Sequence, residues 1–146
     1  MPGRPRALIS PVLLDASVIV ALFHQRDAYH AMCVRALEEL DRPLVTCEPV
    51  IMESCHLLKR SVGAVDAVVA NIESGSFEMP WRLVDAASAV RALMEKYRDI
   101  PASLADACLI QMADELDTGD ILTLDSDFRS YRWRRHNPFH LLIDRV

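Results

Sequence analysis

Several acids in this chain sit beside apolar runs in a way that invites chemistry. In "VLLDASVIVALF", Val12 to Phe23, Asp15 stands between two hydrophobic segments with the hydroxyl of Ser17 close behind it. Glu53 lies inside "EPVIMESCHLL", Asp106 inside "SLADACLIQMA", and Asp125 and Asp127 follow the apolar run of "ILTLDSDF". Two carboxylates held about 4 Å apart repel by roughly 4 kcal/mol at an effective dielectric near 20. A divalent cation reverses the sign of that interaction. Hard oxygen ligands without a histidine partner suit Mg²⁺ or Mn²⁺ better than zinc. A carboxylate-held cation that keeps some of its waters makes water a better nucleophile and stabilises charge on a leaving oxygen, which is what phosphodiester hydrolysis requires.

Each acid also has a purely structural role open to it. Asp15 and Asp125 fit helix N-caps, and Ser103 with Asp106 forms a capping-box pattern. Glu53 is placed by helical spacing at the border of an apolar face, between Val50 and Leu57, and has no basic residue at i+4 to pair with. The Glu53–His56 spacing also matches half of a di-iron helix motif, but that site needs a second copy and the sequence holds none.

The elements that must position these acids can be read from periodicity. Ile9–Leu14, "PLVTC", "WRLVD", "ILTL" and "FHLLI" read as strands. Helices are expected over Ser17–Phe23, "RDAYHAMCVRALEEL", "EPVIMESCHLLKRSV" with Pro49 in its first turn, "AVDAVVANIES", "AASAVRALMEKYRD" and "SLADACLIQMADEL". "DSDF" reads as a turn or short helix. Strands alternating with helices imply an α/β fold with a mainly parallel central sheet. In such sheets ligands collect outside the carboxyl ends of the strands, where Asp15, Asp125 and Asp127 fall, while Asp106 lies in the first turn of its helix and Glu53 one turn into its own.

The chain has 146 residues, 51% of them hydrophobic, which suits one compact domain over 1–146 with residues 1–8 as a flexible leader. No run approaches the ~18 apolar residues of a membrane helix. The four cysteines form no C-x-x-C pair and read as reduced, buried thiols of a cytoplasmic protein. None has an evident base beside it, so none reads as a nucleophile. The net charge of −5 argues against a general polyanion binder, but "FRSYRWRRHN", Phe128 to Asn137, is locally basic. Arg129, Arg132 and Arg134 with Trp133 offer phosphate contacts and flat faces for unpaired bases. A solvated basic loop, or one that meets an acidic protein segment, is the other reading.

Taken together, "LLDAS", "EPVIMESCHLL", "SLADACLIQMA" and "ILTLDSDF" resemble, in order and spacing, a PIN domain, and within that superfamily the VapC-type toxins of toxin–antitoxin pairs. The resemblance runs from about Val12 to the C-terminus. It implies a three-layer α/β/α sandwich and Mg²⁺- or Mn²⁺-dependent endoribonuclease activity. It assigns Asp15, Glu53, Asp106 and Asp125 as the metal-holding acids, Asp127 as a further one, and Ser17 as a supporting hydroxyl. It also implies a homodimer and a cognate antitoxin, and apolar helix residues around Met32 and Leu58 are candidates for an interface. Glu48 departs from the family, in which a small hydroxyl residue often precedes the proline. A catalytically silent or slow PIN-like RNA-binding protein is the alternative from another class. Haloacid-dehalogenase and receiver readings fail on the short chain after Asp127 and on the lack of a strand-end lysine.

Overall fold

The computed structural model describes residues 9–144; the leader expected over 1–8 lies outside the described residues. The elements run β1 (Val12–Leu14), α1 (Ala16–Phe23), α2 (His30–Glu38), β2 (Leu44–Val45), α3 (Glu48–Leu57), α4 (Ala64–Glu73), β3 (Phe77–Glu78), α5 (Leu83–Lys96), α6 (Leu104–Leu116), β4 (Asp120–Leu122), a 3-10 turn (Ser126–Arg129), β5 (Arg132–Trp133), β6 (Asn137–Pro138) and β7 (His140–Leu141).

The main sheet has five strands in the order β3-β2-β1-β4-β7, all parallel. Val12, Leu13 and Leu14 are all fully buried. Successive strand residues face opposite sides, so both faces of β1 are covered, as expected where crossover helices flank a parallel sheet. The buried hydrophobic residues form one continuous cluster. Among the described residues no helix is long and apolar enough to cross a membrane.

The chain leaves β1 for β2 on one side and later returns to β4 on the other. The sheet order therefore reverses between β1 and β4, the place where open α/β sheets hold their ligands. Register sharpens this: Leu13 pairs with Ile121 and Leu14 with Leu122, so Asp15 comes out of the sheet opposite Thr123.

Two expectations are corrected, and one element is new. "WRLVD" is not a strand. Arg82 caps α5, which starts at Leu83, and the strand is Phe77–Glu78, with Phe77 buried. Leu57 is exposed and Leu58 is core, so Glu53 does not border an apolar face at Leu57. Finally, Arg132–Trp133 and Asn137–Pro138 form a small antiparallel pair. Its turn puts Arg134 and Arg135 in the left-handed region at φ 45° and 71°, where non-glycine residues are disfavoured.

Candidate metal centre

Asp15 is both a cap and a site residue. It is the N-cap of α1 and only 3% exposed. Its Oδ1 accepts from the Ala16 N–H at 2.8 Å, and its Oδ2 accepts from Ser17 Oγ at 2.9 Å and Thr123 Oγ1 at 2.6 Å. Ser17 Oγ in turn accepts the Leu124 N–H, and Thr123 Oγ1 accepts the Asp125 N–H, both at 2.9 Å. This network ties the end of β1 to the end of β4. Thr123 is not conspicuous in the sequence, although its position two residues before Asp125 on an adjoining strand is an available signal. Burial, outweighing these hydrogen bonds, pushes the Asp15 carboxyl up from its ordinary value, and Asp125 adds to the rise.

Asp106 sits in the first turn of α6. It completes a capping box with Ser103: its N–H donates to Ser103 Oγ at 3.1 Å, and its Oδ2 accepts the Ser103 N–H at 3.3 Å. The same Oδ2 accepts the Tyr131 hydroxyl at 3.1 Å. Burial, then the charge of Asp15, with a smaller part from Asp125, raise its pKa to about 6. Glu53 is exposed on α3. Its carboxyl is also pushed up, first by desolvation and then by Asp106 and Asp125. Asp125 is partly buried and caps the 3-10 turn, its Oδ1 accepting from the Asp127 N–H at 2.9 Å. Asp127 is exposed, and its charge reaches the Tyr131 phenol.

Capping and convergence are thus compatible. The caps of α1, α6 and the 3-10 turn fix three carboxylates that sense one another, and Glu53 joins them from α3. Among the described residues no three such side chains close into a preformed coordination cage. The donor set still fits a hard divalent cation. It is all carboxylate oxygen, and burial first, then repulsion from neighbouring carboxylates, raises the proton affinity of Glu53 and Asp106. That same repulsion favours a counter-cation. Glu48, in the first turn of α3, lies at the positive end of the helix dipole, where an acid is favourable.

The basic segment divides. Arg129 ends the 3-10 turn that follows Asp125, and Arg132 Nη1 donates to the carbonyls of Arg129 and Tyr131, each at 2.8 Å. Arg134 is not brought to the acids. Its Nη1 reaches Asp117 Oδ1 at 2.6 Å, and its other groups donate to Asp114. From Asp106 to Asp114 is roughly 12 Å along α6 at ~1.5 Å per residue. Trp133 shares that far end. Its Nε1 donates to the Pro138 carbonyl at 3.2 Å, and its ring packs against Gly119, where an added Cβ would lie 2.1 Å from Nε1.

The four cysteines are free. Burial pushes Cys33 up to about 11, and Cys47, beside the Cys108 thiol, is pushed up as well, which suits neither as a nucleophile.

Comparison with known proteins bears on the family and the fold. Residues 12–134 match the family profile described as the PIN domain. A curated relative, Ribonuclease VapC26 of Mycobacterium tuberculosis, is 28% identical over 120 residues, covering 78% of this chain and 86% of its own. The crystal structure of Mycobacterium tuberculosis VapC20, described as a Sarcin-Ricin loop cleaving toxin, superposes with a TM-score of 0.77 at 21% identity. It covers 87% of this chain and 99% of its own, a likeness of fold.

Proposed function

The chain belongs to the PIN domain family, and on that premise we propose that it is a divalent-metal-dependent endoribonuclease, the toxin of a toxin–antitoxin pair. One observation carries the reading. Asp15, Glu53 and Asp106 come from three separate elements near the reversal of strand order, and burial first, then the charge of neighbouring acids, Asp125 among them, raises the proton affinity of each. Nothing in the packing of a stable domain calls for that repulsion, and a bound Mg²⁺ or Mn²⁺ relieves it.

Asp15, Glu53, Asp106 and Asp125 would hold the cation, with Asp127 at the rim. The cation would supply an activated water and charge stabilisation at the leaving oxygen. The chain's own part is orientation. Ser17 and Thr123 hold Asp15, and Ser103 holds Asp106. The 3-10 turn aims Asp125, and Arg129 and Arg132 draw the phosphate chain toward the acids. Arg134, expected from sequence to grip RNA, is paired with Asp117, and Trp133 packs against Gly119; both would pin the β5–β6 turn to the end of α6.

Two partners belong to the same proposal, a second copy of the chain and an antitoxin, in the cytoplasm, where the free thiols stay reduced. A surface hollow of about 470 Å³ lies at the starts of α3, α5 and α6, lined by Met52, Trp81, Val84 and Leu104 among others. Met52 is 73% and Val84 69% exposed, and clustered apolar exposure of this kind favours an interface.

The test is cleavage of total RNA by the purified protein with Mg²⁺ or Mn²⁺, with chelator, and with Asp106→Asn. Cleavage is expected only with metal and only in the wild type, while circular dichroism of the variant stays native. RNA binding without metal-dependent cleavage would instead identify the silent RNA-binding alternative.

A further inference from the structure

Tyr131 lies in the segment that reads as a basic RNA-gripping loop, yet its side chain is fully buried. The ring is clamped edge-on between Tyr97, at 5.0 Å between centroids, and Phe128, at 5.1 Å. Its backbone N–H donates to the Asp127 carbonyl at 3.2 Å. The next residue is fixed too, since the Arg132 N–H donates to the Tyr97 hydroxyl at 3.0 Å. The two ring contacts and the Asp127 bond, none of which needs the Tyr97 hydroxyl, hold one group, the phenol O–H, against Asp106 Oδ2, 3.1 Å away. A phenol O–H that faces a carboxylate oxygen at this distance donates to it.

The two oxygens of Asp106 are consequently unequal. Oδ2 takes both the Tyr131 hydroxyl and the Ser103 N–H. Every buried side-chain oxygen among the described residues has a hydrogen-bond partner. Oδ1, for which the structure records no such bond, is therefore not fully buried. A carboxylate held by two donors on one oxygen presents the other in one orientation. Oriented presentation of this kind is what hydrogen bonds behind a metal ligand provide.

We infer that Tyr131 is a positioning residue for the metal centre, locking Asp106 through Oδ2 so that Oδ1 is presented to the cation. The inference rests on the proposed metal site and adds to it a residue outside the acid set. It also places a positioning group for the metal on the same short segment as Arg129 and Arg132, so the surface expected to meet RNA and the support of a metal ligand are one piece of chain.

The experiment is Mn²⁺ titration of the full chain, followed by electron paramagnetic resonance of free Mn²⁺ and by melting, for the wild type, Tyr131→Phe, Tyr97→Phe, Asp106→Asn and the double variant Tyr131→Phe with Asp106→Asn. Losing a hydrogen bond behind a metal ligand commonly costs about 10- to 100-fold in affinity. Tyr131→Phe is expected to weaken Mn²⁺ binding by about tenfold. Tyr97→Phe, which loses a hydroxyl from the same aromatic stack without touching Asp106, should bind as the wild type does. In the Asp106→Asn background, Tyr131→Phe should add no further loss. A wild type that binds no Mn²⁺ overturns the metal-site reading itself. A wild type that binds, with Tyr131→Phe equal to it or no weaker than Tyr97→Phe, overturns this inference alone. A Tyr131→Phe chain that does not fold overturns it as well, by making the hydroxyl a determinant of the fold.

Discussion

Asp106 holds its proton up to about pH 6, against an ordinary value of 3.8, because burial and the charge of Asp15 oppose its ionisation. A carboxyl whose folded pKa lies above its unfolded one takes up a proton on folding. Its favourable contribution is therefore fully present below about pH 4 and is lost as pH rises through about 6. At ~1.4 kcal/mol per unit this is on the order of 2–3 kcal/mol. Through Asp106, the metal-free protein should therefore melt lower at pH 7.5 than at pH 5. Asp106→Asn removes the charge but keeps an oxygen to accept from Ser103 and Tyr131. In chelator at pH 7.5 that variant should melt above the wild type although it is inactive. A variant less stable than the wild type at both pH values would mean that charge repulsion does not set the behaviour of Asp106. At this scale the sequence is informative about the acids, since a charged residue at the end of an apolar run is conspicuous. It is silent about their partners. Thr123 is one hydroxyl among many until β1 and β4 are in register, and Tyr131 reads as a surface aromatic because its neighbours are arginines.

The elements that carry the site are legible where they are long. α6 announces itself by Ser103, Asp106 and its apolar run, and α3 by Pro49 in its first turn. The misread strand shows the limit. Trp81–Asp85 looks strand-like, but Leu83 and Val84 belong to a 14-residue helix, whereas a two-residue strand such as Phe77–Glu78 has no period to detect. The β5–β6 turn is equally hidden, because its arginines look like ligands for RNA and are in part a clasp on α6. That clasp depends on Gly119. A Cβ there would meet Trp133 Nε1, Cε2 and Cδ1 at 2.1, 2.6 and 2.9 Å, so the indole must leave its seat and its bond to Pro138. Gly119→Ala should destabilise the fold by about 1–3 kcal/mol, as overpacking usually does, with Trp133 emission shifted to the red. Because Asp106 lies at the other end of α6, cleavage per folded molecule should be unchanged. An unshifted emission spectrum in urea-free buffer would mean that the indole is not seated on Gly119.

At the scale of the whole molecule the difficulty is charge. A chain of net charge −5 repels a polyanion, so the proposed RNA substrate would have to be drawn in by a local field and by the proposed cation. Arg129 and Arg132 follow the acids directly on the chain, whereas Arg134 is neutralised against Asp117 at 2.6 Å. The basic stretch that looks uniform in the sequence therefore splits by position. Removing one cation that neutralises a phosphate of a single strand should flatten the dependence of log affinity on log salt by about 0.7. In an Asp106→Asn background, where RNA is bound but not cut, Arg129→Ala with Arg132→Ala should weaken binding and flatten the slope by up to about 1.4, one phosphate for each arginine. Arg134→Ala should leave both affinity and slope as they were, because that guanidinium spends its charge on α6. If the Arg129 and Arg132 pair changes neither quantity while Arg134→Ala changes both, the RNA path runs over the far end of α6 rather than beside Asp125. If none of the three matters, the basic segment faces a protein partner, and the same variants should then be titrated with an acidic antitoxin segment.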